Sequence, residues 1–258
     1  MSASSTIELA FAEVADWNLF DANARVGRSG MQGVLALESG ELLLEMDRFG
    51  IRRAMVSHFA AEEYDAQRGN DLLGQAIESA DRLFPLWAAI PDAGFIESLE
   101  RRRPRAVRLS YGAKKHNFSP ALWCSGALHD YLQQNSILAV VAKEDIEWES
   151  LARLLENFPR LDLLLLDAGY RADRYLFPLL QRFAHLYFDS STYLAHRQLE
   201  TFVNRFGPDR LVFGSRLPLY TPGAAVAVLV TARIREEAKR AIAGRTLARL
   251  LSVESESR

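Results

Sequence analysis

Residues 137–167 read ILAVVAKEDIEWESLARLLENFPRLDLLLLD, and this stretch decides the fold. Two short, continuously apolar runs, ILAVVA and LDLLLLD, flank a segment (146–158) with helical spacing of apolar residues. A strand that is apolar at every position has both faces covered, as in a parallel sheet under helices. A strand, a helix and a second strand in about 30 residues make one crossover unit. Working outward, the same unit recurs. Strands are expected at 17–25, 53–58, 83–90, 106–111, 186–191 and 211–215, besides the two quoted. Helices are expected at 41–50, 70–81, 94–101, through 128–135, and at 174–183, 193–206 and 224–251. Eight such units in 258 residues predict an α/β fold, a single (β/α)8 TIM barrel spanning 1–258 with its core at about 17–251. An open doubly wound sheet is the alternative, because alternation alone does not show closure.

Composition sets outer bounds. Hydrophobic residues make up 49% and charged residues 25%, with a formal net charge of -2. That balance offers no basic field for nucleic acid, and no apolar run approaches the length of a membrane span. The basic run RRRPR (Arg101 to Arg105) precedes a strand, on the face away from a barrel's active site. Met1 to Thr6 does not have the pattern of a signal peptide, so a cytoplasmic protein is expected. Cys124 is the one cysteine; it falls in a helical segment and reads as a buried structural thiol.

Four further stretches, ELLLEMDRFGIRRAMV (41–56), NDLLGQAIESADRLFPLWAAIPD (70–92), FGPDRLVFGSRLP (206–218) and EEAKRAIAGRTLARLL (236–251), resemble the amidohydrolase-related family of metal-dependent hydrolases and decarboxylases. The likeness covers about residues 17–251 and implies a TIM barrel, a hydrolase or decarboxylase activity, and a tendency to dimerise. It also implies a metal site, but the ligand positions are changed. Where the family has Asp-x-His-x-His, this chain reads DANAR: Asp21 remains, with Asn23 and Arg25 at the histidine positions. The family's Gly-Ser-Asp is Gly214-Ser215-Arg216, its His-x-Gly is Asp167-Ala168-Gly169, and its fifth strand ends in VVAK (140–143) without histidine. Of five histidines, His129 and His196 fall in predicted helices and His185 lies on the stability face, leaving His58 and His116 at the C-terminal face. A hydrolytic zinc site wants about three ligands of the right type, so no metal and no other cofactor is expected.

The replacements suggest different chemistry. Arg25, Arg108, Lys143 and Arg216 fall near strand C-termini, as do Asp167 and Asp189. By alternation, Asp21, Asn23 and Arg25 share one strand face, and Val212, Gly214 and Arg216 another. Converging guanidiniums suit a small carboxylate or phosphate. Equally, they suit an internal plug paired with Asp21 or Asp167. Two function classes follow. One is a pseudoenzyme or small-anion-binding protein with Asn23, Arg25, Arg108 and Arg216 as ligand-binding residues. The other is a metal-independent hydrolase or decarboxylase with Asp167 or His58 as acid/base. Lys114, Lys115 and His116 read as a solvated loop, and 190–192 as a cap for the following helix.

Overall fold

The structure, a computed structural model, describes Val14 and residues 16–30, 35–112 and 114–254. The reading made for Met1 to Thr6 lies outside these. The strands are β1 (Leu19–Arg28), β2 (Ala36–Leu37), β3 (Ile51–His58), β4 (Leu83–Pro85), β5 (Trp87–Ala88), β6 (Ala106–Arg108), β7 (Leu138–Ala142), β8 (Leu163–Leu166), β9 (Leu186–Asp189) and β10 (Leu211–Val212). The helices are α1 (Ser39–Arg48), α2 (Phe59–Glu63), α3 (Ala66–Ile77), α4 (Ala93–Arg102), α5 (Leu122–Gln134), α6 (Trp148–Asn157), α7 (Asp173–Arg182), α8 (Gln198–Phe206), α9 (Pro222–Thr231), α10 (Glu236–Arg240) and α11 (Thr246–Leu250).

Two ladders, β2-β1-β3-β4 and β10-β9-β8-β7-β6-β5, carry the sheet, parallel throughout except for the β1–β2 hairpin. β4 and β5 are one strand interrupted at Leu86: its first half pairs with β3 and its second with β6. Asn70 of α3 clamps the second half, exchanging two 2.9 Å hydrogen bonds with the Ala88 backbone. At the seam between β1 and the end of β10 the ladder is not continuous. Two backbone bonds of 2.9 Å span it instead, Ala22 N–H to the Phe213 carbonyl and Arg25 N–H to the Leu217 carbonyl. The fold is the expected (β/α)8 TIM barrel, with every predicted strand present.

Apolar residues sort into two layers, as a barrel requires. Phe20, Ala22, Met55, Leu86, Ala106, Leu138, Val140, Leu164, Leu166, Tyr187 and Val212 fill the interior, with Leu247, Ala248, Leu250 and Leu251 of the closing helix packed against them. The alternate residues, such as Val107, Leu109, Ala139, Val141, Leu163 and Leu165, meet the helices outside.

Helix boundaries shift where side chains cap them. Asp65 accepts from Arg68 N at 2.7 Å, so α3 starts at Ala66 rather than at Asn70. The helix expected at 193–206 begins only at Gln198, after Arg197 in a left-handed conformation (φ 55°), which leaves His196 in a turn. Ser190 to Thr192 therefore does not cap α8; Thr192 Oγ1 accepts instead from Gly169 N at 2.9 Å. The continuous helix expected over 224–251 is broken after Thr231 and resumes through a π turn, Ala241–Arg245. That turn hands the Ile242 carbonyl to Phe213 N–H at 2.9 Å, and Gly244 there lets the chain approach the Asn18 carbonyl, which a Cβ would meet at 2.4 Å. Cys124 lies in α5 as expected but is half-buried rather than buried.

Candidate functional site

The C-terminal ends of the strands converge on a buried set of charged residues. Its first part is a triangle of Arg25, Glu62 and Arg108. Arg25 Nε donates to Glu62 at 3.1 Å, and Arg108 Nη2 lies 3.2 Å from Glu62 Oε2. Ser57 Oγ also donates to Glu62. Both guanidiniums and the carboxylate are almost fully buried. Burial alone would raise Glu62, yet Arg108, Arg25 and Lys115 outweigh it and hold the carboxyl far below the usual carboxylate range.

The second part is an acid pair. Asp189 Oδ1 accepts Asp167 N–H at 2.8 Å, and Ser191 Oγ donates to Asp167 Oδ1 at 3.0 Å. Asn23 joins the two parts: Nδ2 reaches Asp167 Oδ1 at 3.0 Å and Asp189 Oδ2 at 3.2 Å, and Oδ1 accepts from Arg25 Nη1 at 2.9 Å. Arg216 Nε sits 3.3 Å from Asp167 Oδ2. Asp167 and Arg216 both occupy the left-handed region (φ 58° and 63°), a cost that an ion pair across the mouth can offset. Burial and the neighbouring Asp167 push the Asp189 carboxyl up to about 7. Gly214 is required beside it, because a Cβ there would meet Asp189 Oδ2 at 2.3 Å.

The structure brings Asn23, Arg25, Arg108, Arg216 and Asp167 together, as their positions in the sequence imply. Asp21 is a correction. The β1 register slips by one residue against β3 between Asp21 and Ala24, a bulge that breaks strict alternation. Phe20 and Ala22 therefore face the interior before it, and Asn23 and Arg25 after it. Asp21 is left on the opposite side, accepting from Asn23 N and Ser215 N at 2.9 Å each and from Ser215 Oγ. It pairs with neither arginine as a plug; it fastens the seam.

Lys143 also turns away, donating to the Ile146 carbonyl at 2.9 Å and lying over the Trp148 ring. His58 stands apart from the acid pair: Nδ1 accepts Ala60 N–H at 3.1 Å and caps α2, while the ring packs on Gly27 (φ 82°). Burial lowers its pKa below the ordinary histidine value. The loop read as solvated is tied down, because Lys115 pairs with Glu144 (2.8 Å) and Asp145 (3.0 Å), and His116 Nε2 lies 2.6 Å from the Ala61 carbonyl. Glu62, Ser57 and Ser110 were missed from sequence. Nothing in AAEEYD (60–65) distinguishes Glu62 from its exposed-looking neighbours, and only the fold of α2 over the mouth buries it.

No family model matches this chain, and no curated protein does. Solved structures do. A 5-carboxyvanillate decarboxylase from Sphingomonas paucimobilis superposes with a TM-score of 0.72 at 16% identity, covering 92% of this chain and 100% of that one. A 2,6-dihydroxybenzoate decarboxylase from Rhizobium gives 0.73 at 14% identity, over 91% and 98%. This chain has the fold of those decarboxylases. A third neighbour, a 5-carboxyvanillate decarboxylase from Novosphingobium aromaticivorans with bound manganese, gives 0.74 at 11% identity, over 93% and 98%. The resemblance to the amidohydrolase-related family thus holds at the level of the barrel.

A metal such as that neighbour's manganese does not fit the side chains here. Among the described residues no group of three or more His, Cys, Asp or Glu is placed to hold one. Arg25 pairs with Glu62, Arg216 lies against Asp167 Oδ2, and Asp167 Oδ1 and Asp189 Oδ2 already accept from the Asn23 amide. No described helix is long and apolar enough to cross a membrane.

Proposed function

We propose that this chain is a pseudoenzyme of the decarboxylase-type barrel, a cytoplasmic protein that binds a small carboxylate or phosphate at the C-terminal mouth without a metal. One observation carries this reading. Two buried guanidiniums share the single Glu62 carboxylate, and they are not both satisfied by it. Among the described residues Arg108 Nε and Nη2 have no aligned hydrogen-bond acceptor, although Arg108 is 1% exposed; Ser110 Oγ, two residues along the same strand direction, has no partner either. Residues two apart point to one side, and Ala106 on that side lies in the barrel interior. A guanidinium edge beside a hydroxyl matches an anion's two oxygens, and leaving such groups unmet costs about 1–3 kcal/mol each.

The test is a thermal-shift panel of formate, acetate and phosphate on the wild type and on Ser110→Ala. The wild type should gain melting temperature with at least one anion. Ser110→Ala should be more stable than wild type without ligand, by about 1 kcal/mol, because an unmet buried hydroxyl is gone, and should lose most of the anion response. A flat panel would sink the reading.

A second reading has its own support. A buried carboxyl brought to about 7, as at Asp189, can give or take a proton at neutral pH. Beside Asp167 and Arg216 it would serve a metal-independent hydrolase or decarboxylase. Chelator-insensitive turnover in a screen of small aromatic and aliphatic carboxylates, abolished in Asp189→Asn, would establish it; no turnover with any of them would leave the binding role alone.

A further inference from the structure

We propose that Asn23 is the residue that keeps this barrel metal-free, its side-chain amide doing for Asp167, Asp189 and Ser191 what a bound cation would do. The orientation of the amide follows from its neighbours. Arg25 offers only donors, and its Nη1 lies 2.9 Å from one end of the Asn23 amide. That end must therefore be the oxygen. The other end, the NH2 group, is turned onto Asp167 Oδ1 (3.0 Å), Asp189 Oδ2 (3.2 Å) and Ser191 Oγ (3.4 Å). The guanidinium placed by Arg25 thus fixes which face of Asn23 the acids see. A divalent ion approaching them meets two amide hydrogens.

The spacing of these atoms is what gives Asn23 this role. Ligands about 2.1 Å from an octahedral cation on perpendicular axes lie about 3 Å from each other. The contacts around Nδ2, together with the 3.0 Å between Ser191 Oγ and Asp167 Oδ1, have that spacing already. Asp167 and Asp189 supply only two carboxylates, and the third corner is a donor instead of an acceptor. Arg216 Nε lies 3.3 Å from Asp167 Oδ2 without an aligned hydrogen bond, while Asn23 contacts Oδ1, so Arg216 does not block the corner. Exchanging the amide nitrogen for an oxygen turns a hydrogen-bonded acid pair into a three-carboxylate set with a hydroxyl beside it.

This inference does not depend on the anion reading, since it concerns the acid pair and not Arg108. It is tested with manganese(II) chloride alone. Wild type, Asn23→Asp and Asn23→Ser are incubated with the salt, desalted, assayed for metal and melted with and without it. Wild type should retain no stoichiometric manganese and show no shift. Asn23→Asp should retain about one ion per chain and gain about 5 °C or more at saturation. Asn23→Ser, which removes the two donors without adding charge, should show a smaller but measurable gain, and it decides the matter should the aspartate variant not fold. Stoichiometric manganese in the wild type would overturn the proposal, and so would folded variants that both remain metal-free.

Discussion

Glu62→Gln should cost about 3–5 kcal/mol of folding stability, the range for removing one partner of a buried ion pair. The figure is at the high end because one carboxylate serves two cations. Arg25 and Arg108 are buried with it, and a glutamine leaves both charges facing a neutral amide whose nitrogen is itself a donor. Urea denaturation should show an earlier midpoint with an unchanged slope, and the melting temperature should fall by roughly 6–20 °C for a chain of this length. The same variant reports on ligand binding. If the mouth takes a small anion, formate should recover more stability in Glu62→Gln than in the wild type, since it replaces the missing charge. A loss below about 1 kcal/mol would mean that the triangle holds little of the barrel together.

Asp21→Ala should be the next most damaging change, at about 2–4 kcal/mol. Asp21 is fully buried and is the acceptor for two backbone N–H groups, those of Asn23 and Ser215, and for the Ser215 hydroxyl. Truncation removes this acceptor from all three; the hydroxyl can rotate to another partner, and each backbone N–H left unmet costs about 1–3 kcal/mol. The effect should be local as well as global. Ser215 lies beyond β10, where the sheet has no continuous ladder to β1, so the carboxylate bridges that junction. Amide exchange at Ala22 and Arg25, whose N–H groups cross that junction, should accelerate more than exchange at Ala139 or Leu163, which sit in the regular ladder. Asp21→Asn keeps one acceptor oxygen and should lose less. Equal acceleration across the sheet would assign Asp21 a general rather than a seam-specific role.

The two variants mark how far the sequence could be read. Asp21 was visible as a residue but misplaced: alternation put it on the face of Asn23 and Arg25, and a one-residue bulge moved it to the other side. Bulges leave no mark in a pattern of polar and apolar residues when both neighbours are alanine, as at Ala22 and Ala24. Glu62 was not visible at all, because its burial depends on α2 folding back over β1 and β6, far away in sequence. Asn23 and Arg25 were legible because they stand where the resembled family has its histidines. Arg108, Asp167 and Arg216 were legible because each falls near the end of a predicted strand, and every parallel barrel strand delivers its last residues to the same mouth. Lys143 met the same criterion and failed it. Its long flexible stem reached Ile146 and Trp148 beside it, which position along a strand cannot forecast.

What the sequence determined on its own was a parallel α/β fold of eight strand–helix units, since continuous apolar strands separated by amphipathic helices have few other ways to bury both faces of a sheet; the barrel rather than an open doubly wound sheet was decided by the structure. It also showed which residues, Asn23, Arg25 and Arg216, stand where the resembled family has metal ligands, because identity at a position needs no coordinates. The tertiary structure alone decided what the substituted residues do. Ion pairing and hydrogen bonding depend on distances of about 3 Å between atoms 37 to 166 residues apart in sequence, and only the folded mouth shows Glu62 between two arginines and the Asn23 amide turned onto two carboxylates.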